Sequence, residues 1–301
     1  MSAIDGRRRA WMRNAEAICA LLEEATGRLR AGRWRKQSCI ALPATGRLLL
    51  TGDLHDNLPH FEAVCDLARL DRNPDHHVVL HELIHGDRLV NGLDMSFQML
   101  GRVAELVLAY PDQVHPVLAN HELSQYRGHG VSKGGGDQTA KFSAGLEWVF
   151  GDDASAVEEA LHAFIAAMPI AVRTEGGLFF SHSLPGEAHL DHFDFSVVER
   201  DLVEADYEGP FGAAFLMTWG RGHSIDSLHR LAAEWGAKLF VIGHMHVPDG
   251  ASAPFRDLVT LATDHAQGRV LPIDLAASVG SADETIERAL PIASFLRIEE
   301  H

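Results

Sequence analysis

Five times along this 301-residue chain a short apolar run of strand type stops at a loop carrying side chains that bind metals or move protons. Leu48–Thr51 leads into Gly52-Asp53-Leu54-His55-Asp56-Asn57, Val78–Ile84 into His85-Gly86-Asp87, and Val114–Leu118 into Ala119-Asn120-His121-Glu122. Leu178–Phe180 leads into Ser181-His182-Ser183, and Phe240–Ile242 into Gly243-His244-Met245-His246. In an open α/β sheet, ligands bind outside the carboxyl ends of the strands. The repetition therefore sends two aspartates, an asparagine and several histidines toward one edge. Between the runs lie segments of helical period: 8–31, 58–71, 95–110, about 139–150, 153–167 and 223–235. Ile170–Val172 and Gly177–Ser181 read as a hairpin, and Leu258–Leu261 and Arg269–Leu275 as closing strands. Strands alternating with helices predict an α/β layer fold.

Composition narrows the partners. The formal charge is −16, and the basic residues crowd residues 1–36, so the rest of the chain carries −21. Such a surface repels phosphodiester backbones, and polymeric nucleic acid is not an expected partner. The N-terminal run beginning at Arg7, Arg8 and Arg9 reads as a solvated helix face. No apolar run is long enough to span a membrane. Three separated cysteines (Cys19, Cys39, Cys65) are too few for a disulfide framework or a thiolate zinc site, which fits a reducing compartment and a cytoplasmic location. The 19 histidines matter for where they fall. Imidazole is the commonest metal ligand and the ordinary acid–base group near neutral pH.

The ordered blocks Asp53-x-His55, Gly86-Asp87, Asn120-His121-Glu122, His182 and Gly243-His244-x-His246 resemble the signature of the calcineurin-like metallophosphoesterases. The likeness runs from about residue 46 to 275. Tyr110-Pro111-Asp112-Gln113-Val114 and Met168-Pro169 are similar in texture to the phosphoprotein-phosphatase branch. The resemblance implies two mixed β-sheets sandwiched between helices, with a dinuclear metal centre on one edge. It implies Asp53, His55 and His246 on the first metal, Asp87 bridging, and Asn120, His182 and His244 on the second. Asn120 would also contact substrate, and His121 would protonate the leaving group. The implied reaction is phosphoester hydrolysis by a metal-bridging hydroxide. Carboxylate, amide and imidazole donors without thiolates suit Mn, Fe, Zn or Ni, with Mn and Fe favoured.

Departures from the signature shape the expected substrate. Val90-Asn91-Gly92 stands where the phosphoprotein branch carries Asp-Arg-Gly, so an aspartate that orients the acid and a phosphate-holding arginine are missing there. Arg221 is the replacement clamp, with Arg88 and Arg127 as rivals, because a guanidinium matches phosphate bidentately. A phosphorylated small molecule or phosphopeptide is the expected substrate, and small molecules are preferred over large acidic phosphoproteins. A nucleotide phosphodiesterase or dinucleoside polyphosphate hydrolase is the alternative, and a non-catalytic metal-bound scaffold the alternative of another class. His81-Glu82-Leu83-Ile84-His85 matches the zinc-protease pattern H-E-x-x-H, which works only on a helix. In a continuous strand the two histidines would lie about 13 Å apart, so Glu82 is read as a strand residue without catalytic duty. His60, His76, His77, His162, His229 and His301 are expected at the surface, with His265 near the site edge. The organisation predicted is a helical extension over 1–39, a catalytic domain over 40–280 with insertions at 123–150 and 183–222, and a terminal segment over 281–301.

Overall fold

The computed structural model describes residues 10–128, 132–133 and 136–297. Arg7, Arg8, Arg9 and His301 lie outside the described residues. Two principal sheets face each other. One has five strands in the order Leu290–Pro291, Arg269–Asp274, Arg47–Thr51, His76–His81 and Val114–Val117. Its three strands nearest the Val114–Val117 edge run parallel, and Arg269–Asp274 pairs antiparallel with Arg47–Thr51. The other has seven strands, ordered Arg35–Lys36, Cys39–Leu42, Ala171–Thr174, Leu178–Ser181, Leu239–Ile242, Leu258–Leu261 and Ala251–Phe255. The hairpin expected at 170–181 is present, in the register Val172–Phe180.

Alternation along the strands explains the sandwich. Leu48, Leu50 and Val79 from one sheet join Phe180, Leu239 and Val241 from the other in a single apolar layer between the sheets. Their neighbours Leu49, Val78, Leu80, Phe179 and Phe240 turn outward into a second core shared with the helices. Both faces of the central strands are buried, which is why Leu48-Leu49-Leu50 and Val78-Val79-Leu80 read as unbroken apolar runs rather than alternating ones. These are the two mixed sheets between helices that the sequence implied.

The first helix is shorter than its periodic pattern. Asn14 takes an extended conformation and its side chain accepts from Ala17 N–H, so Ala15–Ala31 starts there as a capped helix and Ala10–Arg13 is a separate 3₁₀ turn. Trp11 from that turn lies against Gly101 and donates to Glu105 Oε1 at 2.7 Å, seating the segment on the helix Phe97–Ala109. No described helix is long and apolar enough to cross a membrane.

The strand beginning at His76 differs most from expectation. It ends at His81, not at Ile84. Glu82 and His85 both adopt left-handed backbone, with φ of 49° and 59°, a conformation uncommon for non-glycine residues. The chain therefore turns at Glu82, five residues before the predicted Asp87. Two of the histidines expected at the surface, His60 and His77, are buried instead, whereas His229 is exposed. His60 Nδ1 bonds the Thr263 carbonyl and His77 stacks on His115, so backbone and imidazole partners account for their burial.

Candidate metal centre

The polar cluster forms where the two sheets meet at their strand ends. Asp53 pairs as an isolated parallel bridge with Ala262, and Gly52 N–H donates to Thr263 Oγ1 at 2.7 Å. The approach is too close for a side chain at Gly243, where a Cβ would collide with Asp53 Oδ1 and His81 Cε1. Asp53, Glu82 and Asn120 come from the five-stranded sheet or the segments directly after its strands. His182 and His244 follow strands of the seven-stranded sheet.

At the centre, His182 is fully buried. Its Nε2 lies 2.6 Å from Asn120 Oδ1, 3.1 Å from His244 Nδ1 and 3.2 Å from Glu82 Oε2. His244 Nδ1 is also 3.1 Å from Asn120 Oδ1. Burial first, and the neighbouring His244 second, push the His182 imidazole well below its ordinary pKa. Burial, then the nearby Arg221 charge, lowers His244 to about 3. Both rings are therefore neutral donors at neutral pH, the form that ligates metals.

A second group, His55, Glu82 and His121, presents ligand-type atoms all within 4.8 Å of one another. His55 Nδ1 faces the Ile84 carbonyl at 3.3 Å; a carbonyl only accepts, so that nitrogen carries a hydrogen. His121 Nε2 is 3.4 Å from Glu82 Oε1. Glu82 thus reaches His182 with one oxygen and His121 with the other.

The structure does not place Asp87 where the sequence put it. Asp87 is exposed, on the turn that leads to the hairpin 89–94, while the buried Glu82 occupies the junction between the two histidine groups. The early end of the strand is the reason. The buried Glu122 side chain holds the resulting loop, accepting from Leu83 N–H at 2.6 Å. Its burial raises the Glu122 carboxyl to about 7. The remaining sequence-predicted residues divide. Asp53, Asn120, His121, His182 and His244 are buried together, and His55 is half-buried beside them. His246 is exposed, its ring 6.2 Å from that of His265.

Besides Glu82, two residues of the cluster escaped the sequence reading. His81 Nδ1 lies 3.0 Å from His182 Nδ1 and 3.7 Å from Asp53 Oδ1. His85 Nδ1 bonds Asp94 Oδ2 at 2.8 Å, and its ring stands 5.4 Å from that of His121. The signal that could have found them was the H-E-x-x-H run, set aside for lacking a helix. Among the arginines, Arg88 is held bidentately by Asp56, and Arg127 is tied to Glu204 and Glu208. Arg221 is exposed, has no carboxylate ion pair among the described residues, and sets Nη1 3.4 Å from Met245 Sδ, between the two loop histidines.

The profile of the calcineurin-like phosphoesterases matches residues 46–248. No curated protein sequence matches significantly. Among solved structures, a protein serine/threonine phosphatase from Saccharomyces cerevisiae superposes with a TM-score of 0.64 at 14% identity, over 86% of this chain and 82% of its own. A cold-active protein-tyrosine phosphatase from a psychrophilic Shewanella gives 0.50 at 9% identity, over 78% of this chain and 77% of its own. At such identities the likeness is one of fold.

Proposed function

We propose, for a chain that belongs to the calcineurin-like phosphoesterase family and is by that membership a phosphoric ester hydrolase, a dinuclear centre in which Glu82 takes the bridging place. The observation that supports this is the convergence of ligand-type oxygen and nitrogen atoms on His182 Nε2. Asn120 Oδ1, His244 Nδ1 and Glu82 Oε2 lie 2.6–3.2 Å from it. Metal–ligand bonds of about 2.1 Å put neighbouring ligand atoms roughly 3.0–3.4 Å apart, so the spacing suits one cation. Asn120, His182, His244 and Glu82 would hold that metal. Asp53, His55 and the second Glu82 oxygen would hold another, with His246 swinging in from the rim. Nitrogen and oxygen donors without thiolate favour Mn or Fe.

When bound, the pair supplies Lewis acidity and a water acidic enough to attack at neutral pH. The chain's own residues do the rest. Asn120 and Arg221 hold the phosphoryl oxygens, Arg221 from the rim beside Met245. His121, whose Nε2 faces Glu82 Oε1, gives its proton to the leaving oxygen. Burial of the cluster excludes bulk water and keeps these fields strong. The net charge of −16 favours a small phosphorylated molecule over a large acidic phosphoprotein.

Metal content, together with hydrolysis assays on sugar phosphates, nucleotides and phosphopeptides with Mn added, tests the reading. Close to two equivalents per chain and turnover of a small monoester are expected. A folded protein holding less than one equivalent in excess metal would overturn it.

A further inference from the structure

The fully buried His81 is a residue for which the family signature assigns no role. We infer that His81 is a positioning residue that fixes the tautomer of His182 and so aims the bare His182 Nε2 at the metal; this rests on the metal-centre reading above.

The argument runs through hydrogen atoms. His81 Nε2 lies 3.0 Å from the Thr51 carbonyl oxygen. A carbonyl can only accept, so the single hydrogen of the neutral His81 ring is on Nε2 and its Nδ1 carries a lone pair. That Nδ1 stands 3.0 Å from His182 Nδ1. His81 thus offers His182 Nδ1 an acceptor, while on the other side of the ring Asn120 Oδ1, 2.6 Å from Nε2, offers that nitrogen one; a cation taking the Nε2 lone pair leaves the single hydrogen on Nδ1, where His81 accepts it. The His182 Nε2 is then the bare nitrogen, and it is the atom that meets Asn120, His244 and Glu82. The order is Thr51 carbonyl, His81, His182, metal.

Local packing makes the relay rigid. His81 ends its strand on the inward side shared by Val79, with its ring edge-on to Phe180 at 5.1 Å between centroids. A Cβ on Gly243 would strike its Cε1, so the ring has no space to turn on that side. Partners that orient a ligating imidazole in this way are usually carboxylates or carbonyls. Here a second imidazole passes the constraint on from a main-chain carbonyl. A metal held among His81, His182 and Asp53 is the competing arrangement. Asp53 Oδ1 already accepts the His244 N–H at 2.9 Å, and it stays 3.7 and 3.8 Å from the two rings.

Two substitutions separate the two ends of the His81 ring. In His81→Asn the amide oxygen reaches the place of Nδ1 and can accept from His182. In His81→Gln the amide reaches the place of Nε2, keeping the bond to Thr51 but offering His182 nothing. Mn(II) affinity of the whole chain, measured by chelator competition, should fall about 10–100-fold in His81→Gln and stay close to wild type in His81→Asn. In wild type loaded with diamagnetic Zn(II), ring nitrogen–proton correlation spectra should show His182 protonated on Nδ1. That spectrum needs no variant to fold. A wild type that binds neither Mn nor Zn would sink the metal centre itself, whereas a loaded wild type that fails the other tests sinks the relay alone. His182 without a hydrogen on Nδ1 in the Zn-loaded wild type, equal affinities in the two variants, or a third equivalent of metal that disappears with His81 would each overturn the inference.

Discussion

The two halves of the proposed metal centre are built differently. Around His182 the donor atoms are buried and already in mutual contact, because they sit at or just beyond the ends of strands locked into two sheets. Around Asp53 and His55 the donors are looser. His55 is half-buried on left-handed backbone at φ 43°, and His246 is exposed. A site whose ligands are preset by strands loses little freedom when a cation arrives, whereas one that must gather a loop histidine loses more. The half at His182 should therefore bind first and hold its metal longer.

Breaking the residue common to both halves should have the largest effect. Glu82→Gln removes the charge that would face each metal, so both should leave and turnover should drop by about 10³-fold or more, the scale of losing a major electrostatic group. Elemental analysis alongside initial rates checks it; a fully loaded, active Glu82→Gln would place the bridge elsewhere.

Next comes the acid. A proton donor matters in proportion to the basicity of what departs. His121→Ala should slow an alkyl phosphate by about 10²-fold or more, while p-nitrophenyl phosphate, whose leaving group needs no proton, is slowed far less. Equal slowing of the two at matched metal occupancy would remove the role.

The asymmetry itself is sharpened by comparing His244→Ala with His246→Ala. The former should weaken the tighter equivalent of Mn and the latter only the weaker one, visible as two separable steps in a metal titration. One step affected alike by both variants would mean the halves are equivalent.

Acid should favour unfolding of the metal-free protein. Burial holds His77 and His81 at about 4 and His115 and His244 at about 3, with His182 also well below 6.5. These five imidazoles take up protons in the unfolded chain as pH falls through 6.5, whereas in the folded chain His77, His81, His115 and His244 do so only near 3–4 and His182 well below 6.5. Burial also raises Asp56 to about 6 and Glu122 to about 7, and these two act with the opposite sign because the folded state keeps their protons longer. Near pH 5 the unfolded chain thus binds about three more protons, and stability declines with acid. The thermal midpoint should fall steadily from pH 6.5 toward 4; a midpoint that is flat or rises over that range would contradict neutral burial of these rings.

The smallest expected effect is that of Asp87→Asn. An exposed carboxylate on a turn should leave metal content and rate within a few-fold of wild type, and loss of both metals would restore it to the site.

Much of this was legible because strand ends announce themselves. The apolar runs at 48–50, 178–180 and 240–242 end where the structure ends them to within a residue or so, and Asp53, Asn120, His182 and His244 arrive as a group. What failed was a count along one segment. Leu80-His81-Glu82-Leu83-Ile84 is apolar enough to read as strand throughout, yet His81 and Glu82 lie within the buried polar cluster beside His182. Left-handed backbone at Glu82 has no glycine to signal it, and the bonds that hold that turn come from distant parts of the chain: the Leu54 and His55 N–H groups donate to the Glu82 carbonyl, and Leu83 N–H donates to Glu122, 39 residues away in sequence. Gly86-Asp87, a familiar motif at a plausible place, then drew the assignment outward. The helix break at Asn14 is the milder case, where a side-chain cap overrides a continuous periodicity.

The collision that a Cβ at Gly243 would meet also says something about the mechanics of the sandwich. Its sheets are glued along most of their span by an apolar layer that tolerates sliding, since methyl groups have no directional partners. At this one edge the contact is polar and directional: Asp53 Oδ1 from one sheet accepts the His244 amide of the other at 2.9 Å, and His81 Nδ1 of the first lies 3.0 Å from His182 Nδ1 of the second. A cation bound by Glu82 and Asn120 on one side and His182 and His244 on the other would be a cross-link between the layers, stiff against shear. Its release should then be felt as faster amide exchange at Gly243 and His244 than in the middle of the strands, so that the loaded and stripped forms differ in elasticity at one hem of the fold.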